Sequence, residues 1–130
     1  MYPVPAYDST NFDPPAPVTQ VTLRNPNTGA VQSDVPMLLD SGADVTLVPQ
    51  SVADQLEATA DPTSQYELVR FDGNISFAPV VQLELSFGRR TFRGRFLLSD
   101  QSCGILGRNV LNAQALLLDG PNLAWEEQQV

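Results

Sequence analysis

Asp40 is the residue of this sequence best placed to do chemistry. It stands in Met37-Leu38-Leu39-Asp40-Ser41-Gly42-Ala43-Asp44-Val45-Thr46-Leu47-Val48-Pro49, where one apolar run enters an acid–hydroxyl–glycine turn and another leaves it. Met37 to Leu39 read as the end of a buried strand. A carboxylate at the tip of such a strand is held rigidly and partly out of water. That is costly for an ordinary surface charge and useful for a group that moves protons. Ser41 can hydrogen-bond locally, and Gly42 lets the chain turn with no Cβ in the way. Asp-Ser-Gly alone also describes a plain turn at a strand end. The apolar flanks tip the reading toward catalysis, as does a second motif near the C-terminus, Ile105-Leu106-Gly107-Arg108-Asn109.

Composition narrows the chemistry. The chain has 130 residues, 42% of them hydrophobic, which suits one globular domain with a modest core. Its formal charge is -8, so it repels phosphate, and nucleic acid is not an expected partner. Its basic residues are all Arg, and the cluster Arg89, Arg90, Arg93 and Arg95 reads more simply as a solvated strand face than as a recognition patch. With no His, Ser-His-Asp and Cys-His catalysis and His-based zinc sites are excluded within the chain. The single cysteine, Cys103, has no partner for an internal disulfide, which suits a reducing compartment. There is no basic and apolar leader and no apolar run of membrane length, so the expected location is cytoplasmic.

The elements that must position Asp40 are mostly strands. Residues 1–17 are proline-rich and form an N-terminal arm, either a free tail or a segment packed on its own domain or a neighbour. A domain is expected over 18–130. Val18 to Leu23 and Ala30 to Val35 are strands around the turn Asn25-Pro26-Asn27-Thr28-Gly29. Pro49 opens a short helix to Leu56. Tyr66 to Phe71 and Ile75 to Ala78 flank Asp72-Gly73-Asn74, a hairpin signal. Val81 to Phe87 and Phe92 to Leu98 alternate with period two around Gly88-Arg89-Arg90. Cys103 to Leu106 is a buried strand, Gly107 to Ala113 a brief helix. Ala115 to Leu118 and Leu123 to Glu127 are final strands around Asp119-Gly120-Pro121-Asn122. The fold class is mainly β, closed or barrel-like, with two short helices.

Strand, Asp-Ser-Gly-Ala, strand, helix, hairpin, then Ile-Leu-Gly-Arg-Asn and a helix: this order, over Val18 to Glu127, resembles the retropepsin-like aspartic proteases. The resemblance implies a closed acid-protease β-barrel and an aspartic endopeptidase. Asp40 would be the catalytic aspartate, with Ser41 bracing the turn and Gly42 lending its carbonyl to substrate. Ala43 would keep the floor shallow. Asp44 would cap the substrate backbone and form an ion pair with Arg108 that ties the active loop to the C-terminal helix. Leu38, Val45, Leu47 and Ile105 match positions lining side-chain pockets. Cys103 falls at a pocket wall or is a small buried apolar residue. Tyr66 to Val80 would be a flap closing over substrate, with Phe71, Gly73 and Ile75 at its tip, although retroviral flap tips carry more glycine. No metal or cofactor is implied.

Aspartic proteolysis needs two carboxylates, one ionised to draw a proton from water and one protonated to donate to the peptide carbonyl. This chain has one Asp-Ser-Gly, so the expectation is a two-fold homodimer with an Asp40 from each copy. Two carboxylates about 4 Å apart repel by roughly 4 kcal/mol at an effective dielectric near 20, so they share a proton, as aspartic proteases do. Cleavage of extended peptide or protein substrates, with apolar residues near the cut, is expected at acid to mildly acid pH. The C-terminal strands would supply the dimer contact, with Trp125 as an anchor. Two other readings stand beside the enzyme: the same fold as a non-catalytic peptide-binding or dimerisation module, and an acidic structural β domain with a fortuitous turn.

Overall fold

The computed structural model describes residues 5–63, 65–69 and 72–128. Ten strands and two short helices are present among them: β1 (Tyr7–Asp8), β2 (Ala16–Arg24), β3 (Val31–Leu39), β4 (Leu47–Pro49), α1 (Gln50–Gln55), β5 (Gln65–Val69), β6 (Ile75–Phe87), β7 (Arg90–Ser99), β8 (Gly104–Leu106), α2 (Arg108–Leu111), β9 (Ala115–Asp119) and β10 (Ala124–Gln128). Eight strands form one sheet in the order β1-β2-β3-β8-β4-β7-β6-β5. A further pairing of β2 with β6 joins the run from β2 to β6 at its ends. The fold is mainly β.

That ring needs a bend, and β3 supplies it. Val21 faces Val35 but Leu23 faces Gln32, so β3 carries one extra residue between them. Asp34 takes it up in a left-handed conformation at φ 58. Such a bulge twists and bends its strand. Beyond it, Thr22 to Arg24 also pair with Ser86 to Glu84 of β6.

The sequence reads as two strands on either side of Pro79; the structure makes one, β6. Residues from Ile75 to Pro79 pair with β5, and residues from Val80 onward pair with β7. Pro79 stands where the strand changes partners, so its missing N–H breaks no continuous ladder. The alternation of 81–87 then buries Val81, Leu83, Leu85 and Phe87 against Val21, Leu23, Val35, Met37 and Leu106. On the opposite face Glu84 pairs with Arg24 at 3.0 Å and Arg93 at 3.2 Å, so part of the arginine cluster is tied down at the surface.

Trp125 points inward. It is 5% exposed, its ring centroid lies 6.2 Å from that of Phe87, and its Nε1 donates to the Val18 carbonyl at 3.3 Å. The expectation that it anchors a dimer contact is therefore corrected: an indole fills the open end of a small core, where it buries more area than a leucine would. The exposed apolar residues of this hairpin are Leu117 and Leu118 on β9 and Leu123 in the turn.

Residues 5–17 pack on their own chain. Tyr7 and Asp8 pair with Pro17 and Ala16, Ala6 bridges Ala124, and the Tyr7 N–H donates to Leu123 O at 2.8 Å. Prolines cannot donate, but Pro5 accepts from the Trp125 N–H at 3.0 Å. No helix among the described residues is long and apolar enough to cross a membrane.

Candidate active site

Three strands build a platform under Asp40. The short β8 lies between β3, to which it runs parallel, and β4, to which it runs antiparallel. Leu38 faces Ile105 and Ile105 faces Leu47, so these three predicted pocket residues form one half-buried row across the platform. Gly104 is needed there because a Cβ would run into Met37 and the Leu47 carbonyl. Side chains alternate along a strand, so Leu38 and Asp40 share a face while Met37 and Leu39 enter the core.

Asp40 leaves β3 in a tight, hydrogen-bonded turn. Its N–H donates to Leu106 O at 3.1 Å, and its carbonyl accepts from the Ala43 N–H at 3.1 Å. Its Oδ1 accepts the Gly42 N–H at 2.9 Å. A Cβ on Gly42 would lie 3.1 Å from that oxygen, so glycine lets the carboxylate rest against its own turn. Asp40 is half-buried, whereas Ser41 and Gly42 are exposed. The carboxylate is thus fixed by main-chain bonds and open to solvent on one side.

Arg108 holds this turn, though not through Asp44. Its Nη1 donates to the Ser41 carbonyl at 2.8 Å and its backbone N–H to the Ala43 carbonyl at 2.8 Å. Asp44 is exposed, and the ion pairs among the described residues are those of Glu84. The expected Asp44–Arg108 pair is corrected. The main-chain bond to Ala43 brings the guanidinium over the turn, where a carbonyl rather than a carboxylate is in reach. The expected tie between α2 and the active loop is present with a different acceptor.

A second tie went unpredicted. Thr46 is 1% exposed; its Oγ1 accepts the Gly107 N–H at 3.0 Å and donates to Asn109 Oδ1 at 2.7 Å. Gly107 sits so close to Val45 that a Cβ would strike the Val45 backbone. Thr46 and Asn109 each stand beside a residue singled out in the sequence. A buried hydroxyl inside an apolar run, facing a Gly-Arg-Asn turn, was the available signal.

The remaining predicted residues divide between two cavities. Cys103 is half-buried and lines one of about 520 Å³ with Leu38 and Ile105. Burial pushes its thiol pKa up, so it is an uncharged wall. Val45 lines another, of about 490 Å³, with Thr46, Tyr66, Val80, Leu97 and Asn109. Val45 and Leu47 also pack with Leu68, Ala78, Val80 and Leu97, which seats the base of the β5–β6 hairpin beside the platform. Gly73, at φ 84, and Ile75 lie at the exposed end of that hairpin, away from the Asp40 turn's hydrogen bonds. Phe71 lies outside the described residues.

Fold and site together describe an acid-protease-like arrangement: a β platform presenting one aspartate in an Asp-Ser-Gly turn. Residues 30–113, more than half of the chain, match the family of gag-polyprotein putative aspartyl proteases. The chain belongs to this retropepsin-like family. Among solved structures it is similar to the EIAV protease complexed with the inhibitor HBY-793, at a TM-score of 0.55 and 20% identity over 82% of this chain and 91% of that one. That likeness is one of fold. No curated protein matches the chain.

Proposed function

We propose that the protein is an aspartic endopeptidase working as a two-fold homodimer, its catalytic domain spanning 18–130 with 1–17 as an arm. The observation that carries this reading is the Asp40 turn: a half-buried carboxylate, bonded at 2.9 Å to the Gly42 N–H, facing solvent at the end of a core strand. One such turn is present per chain, so a second copy completes the pair. A water between the two Asp40 carboxylates loses a proton to one while the other protonates the peptide carbonyl. Ser41, exposed, braces the turn against its counterpart. Gly42, Ala43 and Asp44 receive the substrate backbone as an added strand. Leu38, Val45, Leu47, Cys103 and Ile105 line side-chain pockets. The β5–β6 hairpin closes as a flap: its exposed Val69, Ile75 and Phe77 are apolar residues that a bound peptide would cover.

The test is a peptide-library digest at acid to mildly acid pH, with and without pepstatin, on the wild type and Asp40→Asn. The wild type should cleave and be inhibited, and Asp40→Asn should lose at least about 10³-fold in rate. Cleavage that survives the substitution would end the enzymatic reading. Binding of peptides without cleavage by either form would show the fold serving as a binding module.

A further inference from the structure

The N-terminal arm does more than cover a sheet edge. Its strand β1 is pinned on both flanks, to Pro17 and Ala16 on one side and to Leu123 and Ala124 on the other. It then turns at Asp8. Asp8 Oδ1 accepts the N–H groups of Thr10 at 2.9 Å and Asn11 at 3.0 Å, and Oδ2 accepts Asn11 Nδ2 at 2.9 Å. These bonds set the carboxylate in place, and Phe12 follows as part of the wall of a cavity that Leu38 and Ile105 also line. The cavity of about 520 Å³ lies between arm and platform: Asp8, Asn11 and Phe12 on one side, Leu38, Cys103 and Ile105 on the other.

We propose that the arm is a specificity wall: with Leu38, Cys103 and Ile105 it forms a subsite whose carboxylate, Asp8, selects a long basic side chain of the substrate, Lys or Arg, close to the bond that is cut. This rests on the proteolytic reading above. Leu38 and Asp40 are on one face of β3 and two residues apart, about 7 Å, so a side chain seated against Leu38 belongs to a residue next to the reacting carbonyl. The volume suits a long side chain. The lining is apolar along the floor, through Phe12, Pro36, Leu38 and Ile105, and the methylenes of Lys or Arg cover such surface while the charged head stays at the polar rim. Asp8 is the acidic residue of that lining, and no Arg stands there to neutralise it. One oxygen lone pair of Asp8 beyond those used in the turn suffices for a guanidinium or ammonium.

The experiment is the same peptide-library digest, read by mass spectrometry as the ratio of Lys plus Arg to Glu at each position around the cut. Three proteins are compared: wild type, Asp8→Asn and Asp8→Arg. Asn keeps the oxygen that caps the turn and removes the charge. Wild type should favour Lys and Arg by about fivefold at one position. Asp8→Asn should bring that ratio close to one, and Asp8→Arg should turn it in favour of Glu. Gln101→Glu, an exposed member of the same lining, should raise the ratio without touching the arm, which keeps the test informative if the Asp8 variants fail to fold. If the wild type cleaves and all variants share one ratio at every position, the arm selects nothing and the proposal is overturned. If the wild type cleaves nothing, the proteolytic reading itself has failed and the subsite falls with it.

Discussion

Thr46→Val is the sharpest test of how the active loop is held. Valine fits the space of threonine but removes a hydroxyl that accepts from Gly107 at 3.0 Å and donates to Asn109 at 2.7 Å. Thr46 is 1% exposed and Gly107 is buried, so the Gly107 N–H is left without partner or water. An orphaned buried donor costs about 1–3 kcal/mol, and the lost bond to exposed Asn109 adds about 0.5–1.5 kcal/mol. The expected destabilisation is about 1.5–4.5 kcal/mol, a large share of the roughly 5–15 kcal/mol that holds a domain together. The melting temperature should fall by about 10 °C. Trp125 is the single tryptophan and is buried, so its emission follows unfolding in guanidinium. Protein concentration must be fixed, since association would add to apparent stability. Thr46→Ser is the control: it keeps both bonds and loses one methyl, for about 1 kcal/mol. If valine is tolerated as well as serine, the hydroxyl does not hold the loop and the account of this site is wrong.

Two further outcomes follow from geometry already given. Leu118→Glu places a charge on an exposed position of β9; the single chain should keep its fold while sedimentation shows loss of the proposed homodimer and cleavage falls with it, whereas an unchanged sedimentation coefficient would place the contact elsewhere. Burial raises the Cys103 pKa, so the neutral thiol persists to higher pH than in an open peptide. Alkylation by iodoacetamide should be slow at pH 7, quicken above the ordinary thiol range, and block cleavage by filling the cavity beside Leu38; fast labelling at pH 7 would contradict the burial.

The parts of this site legible in the sequence are those whose cause is local. Asp40-Ser41-Gly42 announces its turn because glycine and a short hydroxyl act within a few residues. Asp72-Gly73-Asn74 and Gly88-Arg89-Arg90 do the same, and the period-two burial of 81–87 is written residue by residue. What escaped depends on partners far along the chain. Arg108 needed an acceptor, but choosing Ser41 O over Asp44 requires knowing that its backbone already bonds Ala43. Thr46 and Asn109 meet across 63 positions. Trp125 looked like a contact residue until Val18 and Phe87 were placed beside it. Ile75 to Ala78 and Val81 to Phe87 read as separate strands because the change of partner at Pro79, which makes them one, is a property of the sheet.

The seating of Ala6 and Pro5 against Ala124 and Trp125 has a consequence for growth. The β9–β10 ribbon has two flanks, and Pro5 and Ala6 obstruct the start of the one along β10. Lateral addition is then steered to the flank along β9, where Leu117 and Leu118 lie open. Two copies joined there about a two-fold axis use up each other's accessible margin. In the proposed homodimer the assembly would terminate at a pair, and a greasy ribbon would be spared polymerisation into an endless stack.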